Sequence, residues 1–447
     1  MGEPQEGLKV IQEAVKLDRK LSSQSPEEYN PNLAASLYSL SDHLGALNKR
    51  EEAVQAIEAS AKLYQRLSAH RFAAFAPKYA SCLHEWSTLL LHLGRPHEGL
   101  PMIQESIKTY RQLDKDKAGE FNLNLATVLS FLSSYLSALG RRKEGLDAAQ
   151  EAVALSRPIA DNSIMSQTEF AGFLSNLSSR LGEVGRQEEA LQIIRESVSH
   201  FRRLHEQHPH RFAQYYATSL HNLAARLAET GRFEEALAPA QKAVDMRREL
   251  AVSNPTKFIP ILARSLNNQA TYMSHSGQSE RGLEVIKEVS SLYRRLAAET
   301  PALFSSPLVD ALVNHCDCLT LLSRFKEAIP LSQEAVATCR QLLANNPANP
   351  DAYNPKLAQA LCALSRCLRG TRCYEEALRA AKESVTLYRH LASEYPAVFT
   401  ADLRSSFDEV FLSLRELGSY EEAMLIMKEI GVLDEGLQKK AVESGTM

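Results

Sequence analysis

The sequence predicts an all-α chain, a right-handed superhelical solenoid of antiparallel helix pairs. Three observations lead there. One short motif returns about every 46 residues along the 447 of the chain. The apolar residues upstream of each copy are spaced alternately by four and three. Glycine or asparagine stands between the two halves of most copies. A single hydrophobic core rarely grows past about 250–300 residues, so a chain of this length that repeats itself reads as an array whose units pack on their neighbours.

The motif is Glu, then a small residue, then an aliphatic one. The small residue falls at Gly7, Ala53, Gly99, Gly145, Ala190, Ala236, Gly282, Ala328, Ala377 and Ala423, and Arg281 alone replaces the Glu before it. Successive spacings are 46, 46, 46, 45, 46, 46, 46, 49 and 46. With the small residue as position zero, offsets -20, -16, -13, -9 and -6 are mostly apolar, as in Leu33, Leu37, Leu40, Leu44 and Leu47. That spacing marks one stripe of an amphipathic helix, helix A. Leu37, Leu83, Leu129, Leu174, Leu220, Leu266, Leu312 and Leu361 share offset -16, with Phe407 last, and all are expected in the core.

Offset -5 is Gly94, Gly140, Gly185, Gly231, Gly277 or Gly418, with Asn48 in the first repeat. Both residue types suit the left-handed conformation that ends a helix. Helix B then runs from about offset -2 to +15, and its Glu residues favour the positive helix start. Position +7 is small in most repeats, which lets a neighbouring helix approach. Val289 breaks that rule, so looser packing is expected there. Pro26, Pro209, Pro255, Pro301, Pro350 and Pro396 share offset -27 and read as the link to the next repeat. Three residues on, an aromatic recurs (Tyr29, Phe75, Phe121, Phe212, Phe258, Phe304, Tyr353, Phe399) as a plug over the helix ends. The one 49-residue interval places three extra residues in a loop near Asn345–Asp351, where insertions cost little. The whole predicts about nineteen helices and no strand.

Bulk properties narrow the function. Apolar residues make up 44% and charged residues 23%, ordinary for a folded protein. A net charge of -3 gives no electrostatic reason to expect nucleic acid or a membrane surface. No apolar run is long enough to span a bilayer, and Met1–Pro4 lacks the blocks of a signal peptide. Glu6 stands where a myristoylation motif wants Ser or Thr. Seven cysteines without framework spacing point to a reduced, cytoplasmic setting.

Helix pairs joined by Gly-x-x-Glu-Glu-Ala-Leu resemble tetratricopeptide repeats, and the segment from Leu220 to Leu237 is the clearest copy. The common repeat has about 34 residues, so this one has longer helices. It is closer to the long repeat of kinesin light chains, whose helix A carries Asn-Asn-Leu-Ala; Leu266 to Ala270 matches that element with Gln269 in place of Leu. Arrays joined to signalling NTPases in fungi and bacteria are similar too. There is no heptad coiled coil ahead of the array, and no Gly-x-x-x-x-Gly-Lys-Ser/Thr phosphate loop. The resemblance implies a right-handed array with the A helices on its concave surface. It leaves the function open, because this fold hosts many partners.

On a helical wheel, offsets -14, -10 and -7 fall on the flank of helix A away from its core contacts. Offset -14 is Asn176, Asn222, Asn268 and Asn314 in four consecutive repeats. Asn offers a donor and an acceptor together, so a column of them can hold the backbone of an extended peptide. The competing role is bonding between neighbouring helices. Arg180, Arg226 and Tyr272 follow at -10, with Glu183 and Glu229 placed to pair with those arginines. An internal ion-pair ladder and a groove for an acidic peptide are both open.

No cofactor, metal or catalytic residue is expected. Six of the seven cysteines lie from Cys316 to Cys373 without a Cys-x-x-Cys pair, and Cys318 and Cys367 share an offset, so they are expected to be neighbours. His205, His208 and His210 match no helix face and read as a solvated loop. No His-Glu-x-x-His or Gly-x-Ser-x-Gly motif occurs. The reading is therefore a scaffold, not an enzyme, that binds partner proteins or extended peptides. Its rival is the ligand-sensing fragment of a larger STAND-type signalling NTPase.

The domain expectation has three parts. Residues 1–22 are an unpaired helix B, residues 23–430 hold nine helix pairs, and residues 431–447 form a capping helix and tail. Leu8, Ile11 and Val15 in the first part lack a preceding helix A, so self-association through that end is expected.

Overall fold

The computed structural model describes residues 2–116, 119–347 and 350–443, with side chains placed except at 2–5, 116, 397 and 434–443. Nineteen α-helices and two short 3₁₀ helices occur among the described residues, with no strand. The chain divides into two compact units, residues 1–209 and residues 210–447. The B helices of the first unit are α1 (Gly2–Gln24), α3 (Arg50–His70), α5 (Pro96–Asp116), α7 (Arg142–Ser156) and α9 (Gln187–Gln207). Its A helices are α2 (Pro26–Ala46), α4 (Phe72–His92), α6 (Asn122–Ala138) and α8 (Ile164–Glu183). In the second unit the A helices are α10 (Pro209–Glu229), α12 (Pro255–His275), α14 (Pro301–Leu321), α16 (Asn354–Gly370) and α18 (Pro396–Glu416). The B helices there are α11 (Phe233–Ser253), α13 (Ser279–Glu299), α15 (Phe325–Asn345), α17 (Tyr374–Glu394) and α19 (Tyr420–Glu443).

The leucine stripe goes where its spacing predicts. Leu37, Leu83, Leu129 and Leu174 are buried in the first unit, and Leu220, Leu266, Leu312, Leu361 and Phe407 in the second. Small residues then let the helix backbones close in. The +7 serines Ser60, Ser106 and Ser197 donate to the carbonyls of Ala34, Ala80 and Ala171 at 2.7, 2.8 and 2.7 Å. Ser384 does the same to Ala358 at 2.8 Å. A second clasp runs the other way, from Ser41, Ser178 and Ser365 on A helices to the carbonyls of Ala53, Ala190 and Ala377. A buried hydroxyl must find an acceptor, and a carbonyl of the partner helix supplies it.

Every A-to-B turn takes one left-handed residue at offset -5. Six are glycine, with φ between 72° at Gly94 and 83° at Gly185. Asn48, Ser323 and Arg372 take the same conformation at φ 60°, 57° and 65°. The amide beyond each closes on the helix, as Arg95 N to Leu90 O at 2.9 Å. Just after the turn, Arg pairs bidentately with the Glu of the motif in Arg95–Glu98, Arg141–Glu144, Arg186–Glu189, Arg232–Glu235 and Arg324–Glu327.

Four expectations change. The offset -27 prolines do not lie in a link: Pro26, Pro209, Pro255, Pro301 and Pro396 are the first residues of A helices, where a missing N–H costs nothing. The recurring aromatic therefore sits in the first turn of most A helices, and Phe121 and Tyr353 stand just ahead of α6 and α16. Phe75, Phe121 and Phe399 stack near Tyr64, Tyr110 and Tyr388 of the preceding B helix, with centroids 6.3, 6.1 and 6.2 Å apart. Packing around Val289 is not open, since Val289 is fully buried in one core cluster with Leu283, Ile286 and Leu312. At α1, Val15 is buried against Leu33 and Leu37 of α2, and Leu8 is partly covered; the exposed apolar residues are Val10 and Leu17. The following helix A covers the face on which Val15 lies.

The longer interval ends in a 3₁₀ turn, Pro350–Ala352, ahead of α16. Helix α19 continues unbroken through Gly431 to Glu443. The side chains of the expected cap, from 434 onward, and residues 444–447 lie outside the described residues.

Candidate peptide-binding surface

The candidate residues sit on the A helices by the same periodicity that buries the leucines. In the first unit α8 carries Asn176 and Arg180. Asn176 Nδ2 donates to the Ser130 carbonyl at 2.7 Å and meets Ser130 Oγ at 2.9 Å, both on α6. Ser134 Oγ reaches Asn176 Oδ1 at 3.4 Å. Arg180 pairs with Glu183 at 2.9 Å, and Glu183 accepts from Ser137 Oγ at 2.7 Å. The polar column here stitches one A helix to the next.

In the second unit Asn222 and Arg226 lie on α10, Asn268 and Tyr272 on α12, and Asn314 on α14. Arg226 pairs with Glu229 at 2.5 Å. Asn314 Nδ2 donates to Asn267 Oδ1 of α12 at 3.1 Å. Tyr272 is buried, with its phenol pushed up to about 12 by that burial and hydrogen-bonded to Asn268. Asn222 is half-buried and has no hydrogen-bond partner among the described residues. The amide ladder thus divides: Asn176 and Asn314 bond neighbouring helices, while Asn222 stays open.

Beside Asn314 the same flank holds a hollow of about 320 Å³ between α12, α14 and α16, lined by Thr271, His275, Asn314, Asp317, Thr320 and Arg366. Arg366 donates to Asp317 at 2.7 Å. Burial pushes the Asp317 carboxyl up, and Arg366 pulls it back. Sequence reading missed this pair because Asp317 and Arg366 sit at offset -11, which holds no common residue type. It also missed a ladder along the B helices, in which Arg157 stands just past the end of α7. There Arg111, Arg157, Arg248, Arg294, Arg340 and Arg389 at offset +12 meet Glu151, Glu196, Glu288, Glu334, Glu383 and Glu429 at +6 of the next repeat. The two offsets form a pattern in the sequence once a period-wide charge alignment is made.

Six cysteines are buried, and Cys373 is exposed. Cys367 neighbours Cys316, not Cys318 as the shared offset predicts; Cys318 turns to Ser274 instead, at 3.0 Å. Equal offsets put side chains on equal faces, not within reach of each other. Among the described residues no group of three or more His, Cys, Asp or Glu side chains is placed to hold a metal ion. None of their helices is long and apolar enough to cross a membrane.

The fold is a series of antiparallel helix pairs like that of tetratricopeptide repeats. The tetratricopeptide repeat profile matches residues 217–254, which span α10 and α11. The profile of anaphase-promoting complex subunit 5 matches residues 62–135 and 121–171. No curated protein matches the sequence. Among solved structures the chain is similar to aspartyl phosphate phosphatase F from Bacillus subtilis, at 15% identity and a TM-score of 0.53, over 87% of this chain and 92% of that one. It is also similar to a Rap protein complexed with Competence and Sporulation Factor, at 12% identity and a TM-score of 0.52, over 88% and 98%. A third is a STAND protein with a tetratricopeptide repeat sensor from Pyrococcus horikoshii, at 13% identity and a TM-score of 0.51; 88% of this chain covers 54% of that protein. At such identities the likeness is one of fold.

Proposed function

We propose that this chain is a non-catalytic cytoplasmic scaffold that binds partner proteins through extended peptides laid along the A-helix flank. The observation that carries the reading is in the second unit. Asn222 presents an unspent amide, and the flank it shares with Arg226, Asn268, Tyr272 and Asn314 opens into the hollow beside Asp317 and Arg366. An amide that offers donor and acceptor together grips backbone without reading side chains, and the hollow has room for one side chain of the peptide. In the first unit Asn176 and Arg180 hold the same offsets on α8 and form a candidate surface of their own.

A random-peptide display against the purified chain, followed by affinity measurement on Asn222→Ala and Asn268→Ala, tests the proposal. Selected peptides should bind the double variant about tenfold more weakly with its circular dichroism unchanged. Equal affinity would give the amides a structural role alone.

The second reading is a ligand-sensing repeat segment of a larger STAND-type NTPase, supported by the fold shared with the Pyrococcus protein. Co-purification of an NTP-hydrolysing domain on the same natural polypeptide would favour it. We propose also that copies associate through α1, where Val10 and Leu17 are exposed apolar residues. Light scattering of a Val10→Glu, Leu17→Glu variant tests that placement: loss of a dimer supports it, and an unchanged mass rejects it.

A further inference from the structure

The eleventh residue past the small position is a tyrosine in four repeats, Tyr64, Tyr110, Tyr293 and Tyr388, and each is buried. In α11 the same place holds Arg247. A phenol tolerates such a site because its single polar atom needs one partner. A guanidinium carries a full charge and five donors. Arg247 is 1% exposed, the largest fully buried side chain among the described residues.

Its surroundings supply hydroxyls but no countercharge. Arg247 donates to Ser265 Oγ on α12 and lies 3.4 Å from Thr218 Oγ1 on α10. Ser265 Oγ is 3.4 Å from His221 Nδ1. Arg264, exposed on α12, brings a second cation. No Asp or Glu among the described residues pairs with Arg247 or Arg264. Burial, then Arg264, lowers Arg247 to about 10, so it stays charged at neutral pH. Burial, then the two arginines, drives His221 to about 3, so its ring is neutral there and adds no third charge. Buried charges in folded proteins are paired or hydrogen-bonded, because an unpaired one is strongly unfavourable. A tyrosine at this position would have avoided the cost altogether.

We propose that Thr218, His221, Arg247, Arg264 and Ser265 form an oxyanion-binding site on the A-helix face of the second unit, taking a carboxylate or phosphate group. Thr218 and Arg264 are its exposed members, and Arg247 is its buried one. Guanidinium groups hold such anions through paired N–H donors. Free inorganic phosphate and an acidic or phosphorylated side chain of a bound peptide share this chemistry; the peptide source alone rests on the function proposed above.

Titration calorimetry on the full chain decides the matter, at constant ionic strength. One arm uses inorganic phosphate, and the other a neutral ten-residue peptide carrying a single central glutamate or phosphoserine. The expected result is saturable one-to-one binding in at least one arm. Arg247→Tyr, which installs the residue of four other repeats, should weaken it tenfold or more. Arg264→Gln, a surface change that leaves the core untouched, should weaken it threefold or more. Binding of phosphate alone names a free anion as ligand, and binding of the peptide alone names a partner's side chain. No binding in either arm, or binding that both variants keep within twofold, overturns the site. Displayed peptides that depend on Asn222 and Asn268, with no Arg247-dependent binding in either arm, would overturn the site and leave the scaffold reading intact.

Discussion

Replacing Arg372 by glycine should stabilise the second unit, and the sign of the effect tests how the repeats are joined. Arg372 and Ser323 hold φ at 65° and 57° in turns where six other repeats use glycine. An L-residue in the left-handed region costs roughly 1–2 kcal/mol, from Cβ crowding the following carbonyl. Glycine removes that cost but returns about 0.5–1 kcal/mol through its greater freedom when unfolded. Both side chains are exposed, and neither makes a hydrogen bond among the described residues, so nothing else is lost. The net expectation is a gain of about 0.5–1 kcal/mol for each of Arg372→Gly and Ser323→Gly. Gly231→Ala, at φ 75° with open space around it, should lose about 1 kcal/mol. Repeat arrays do not always unfold in one step, so the assay is hydrogen exchange of the peptides flanking each turn, alongside urea denaturation. Slower exchange after Arg372→Gly and faster exchange after Gly231→Ala are expected. Unchanged or faster exchange after both glycine substitutions would refute the argument.

His315 is 8% exposed and its pKa is pushed down to about 4, by burial first and then by Arg294. The folded value lies below the unfolded one of about 6.5, so the unfolded state binds the extra proton. Stability from His315 is therefore complete above pH 6.5 and lost as pH falls toward 4, up to about 3 kcal/mol. His315→Gln should flatten that part of a denaturation-against-pH profile, and an unaltered slope would count against it. Cys373 is the exposed one among seven thiols. A colorimetric disulfide reagent should therefore titrate one thiol rapidly in the native chain and seven in denaturant; two or more fast thiols would contradict the burial of the others. Leu266→Ala should destabilise the second unit by about 2–5 kcal/mol, because Leu266 is fully buried. A loss under about 1 kcal/mol by urea titration would show that the stripe does not carry the core.

Period, helix identity and core were legible because each rests on local chemistry. The spacing of Leu33, Leu37, Leu40 and Leu44 dictates a buried helical face, and Gly94 or Gly231 dictates a left-handed stop. The start of helix A was misplaced because Pro209 or Pro255 reads equally as a breaker and as a first residue; the helix continuing after it decides, and tertiary packing of Phe212 and Phe258 holds that first turn down. The candidate surface was legible in direction but not in detail. Asn176 and Asn222 occupy one offset, yet the first bonds Ser130 and the second bonds nothing described. That difference depends on what the neighbouring A helix offers, which one repeat's pattern does not contain. Arg247 escaped notice for the opposite reason: its offset holds four tyrosines but also Ser156, Phe201 and Cys339, so it breaks no strict pattern, and its burial shows only once α10 and α12 are in place.

On the function proposed above, partners are held on the A-helix face of the second unit. Hydrogen exchange of the full chain, with and without the tightest peptide from display, tests it most directly. Exchange should slow in α10, α12 and α14, around Asn222, Asn268 and Asn314, with the B helices α11, α13 and α15 unaffected. Protection confined to those B helices, along Arg248–Glu288 and Arg294–Glu334, would contradict it.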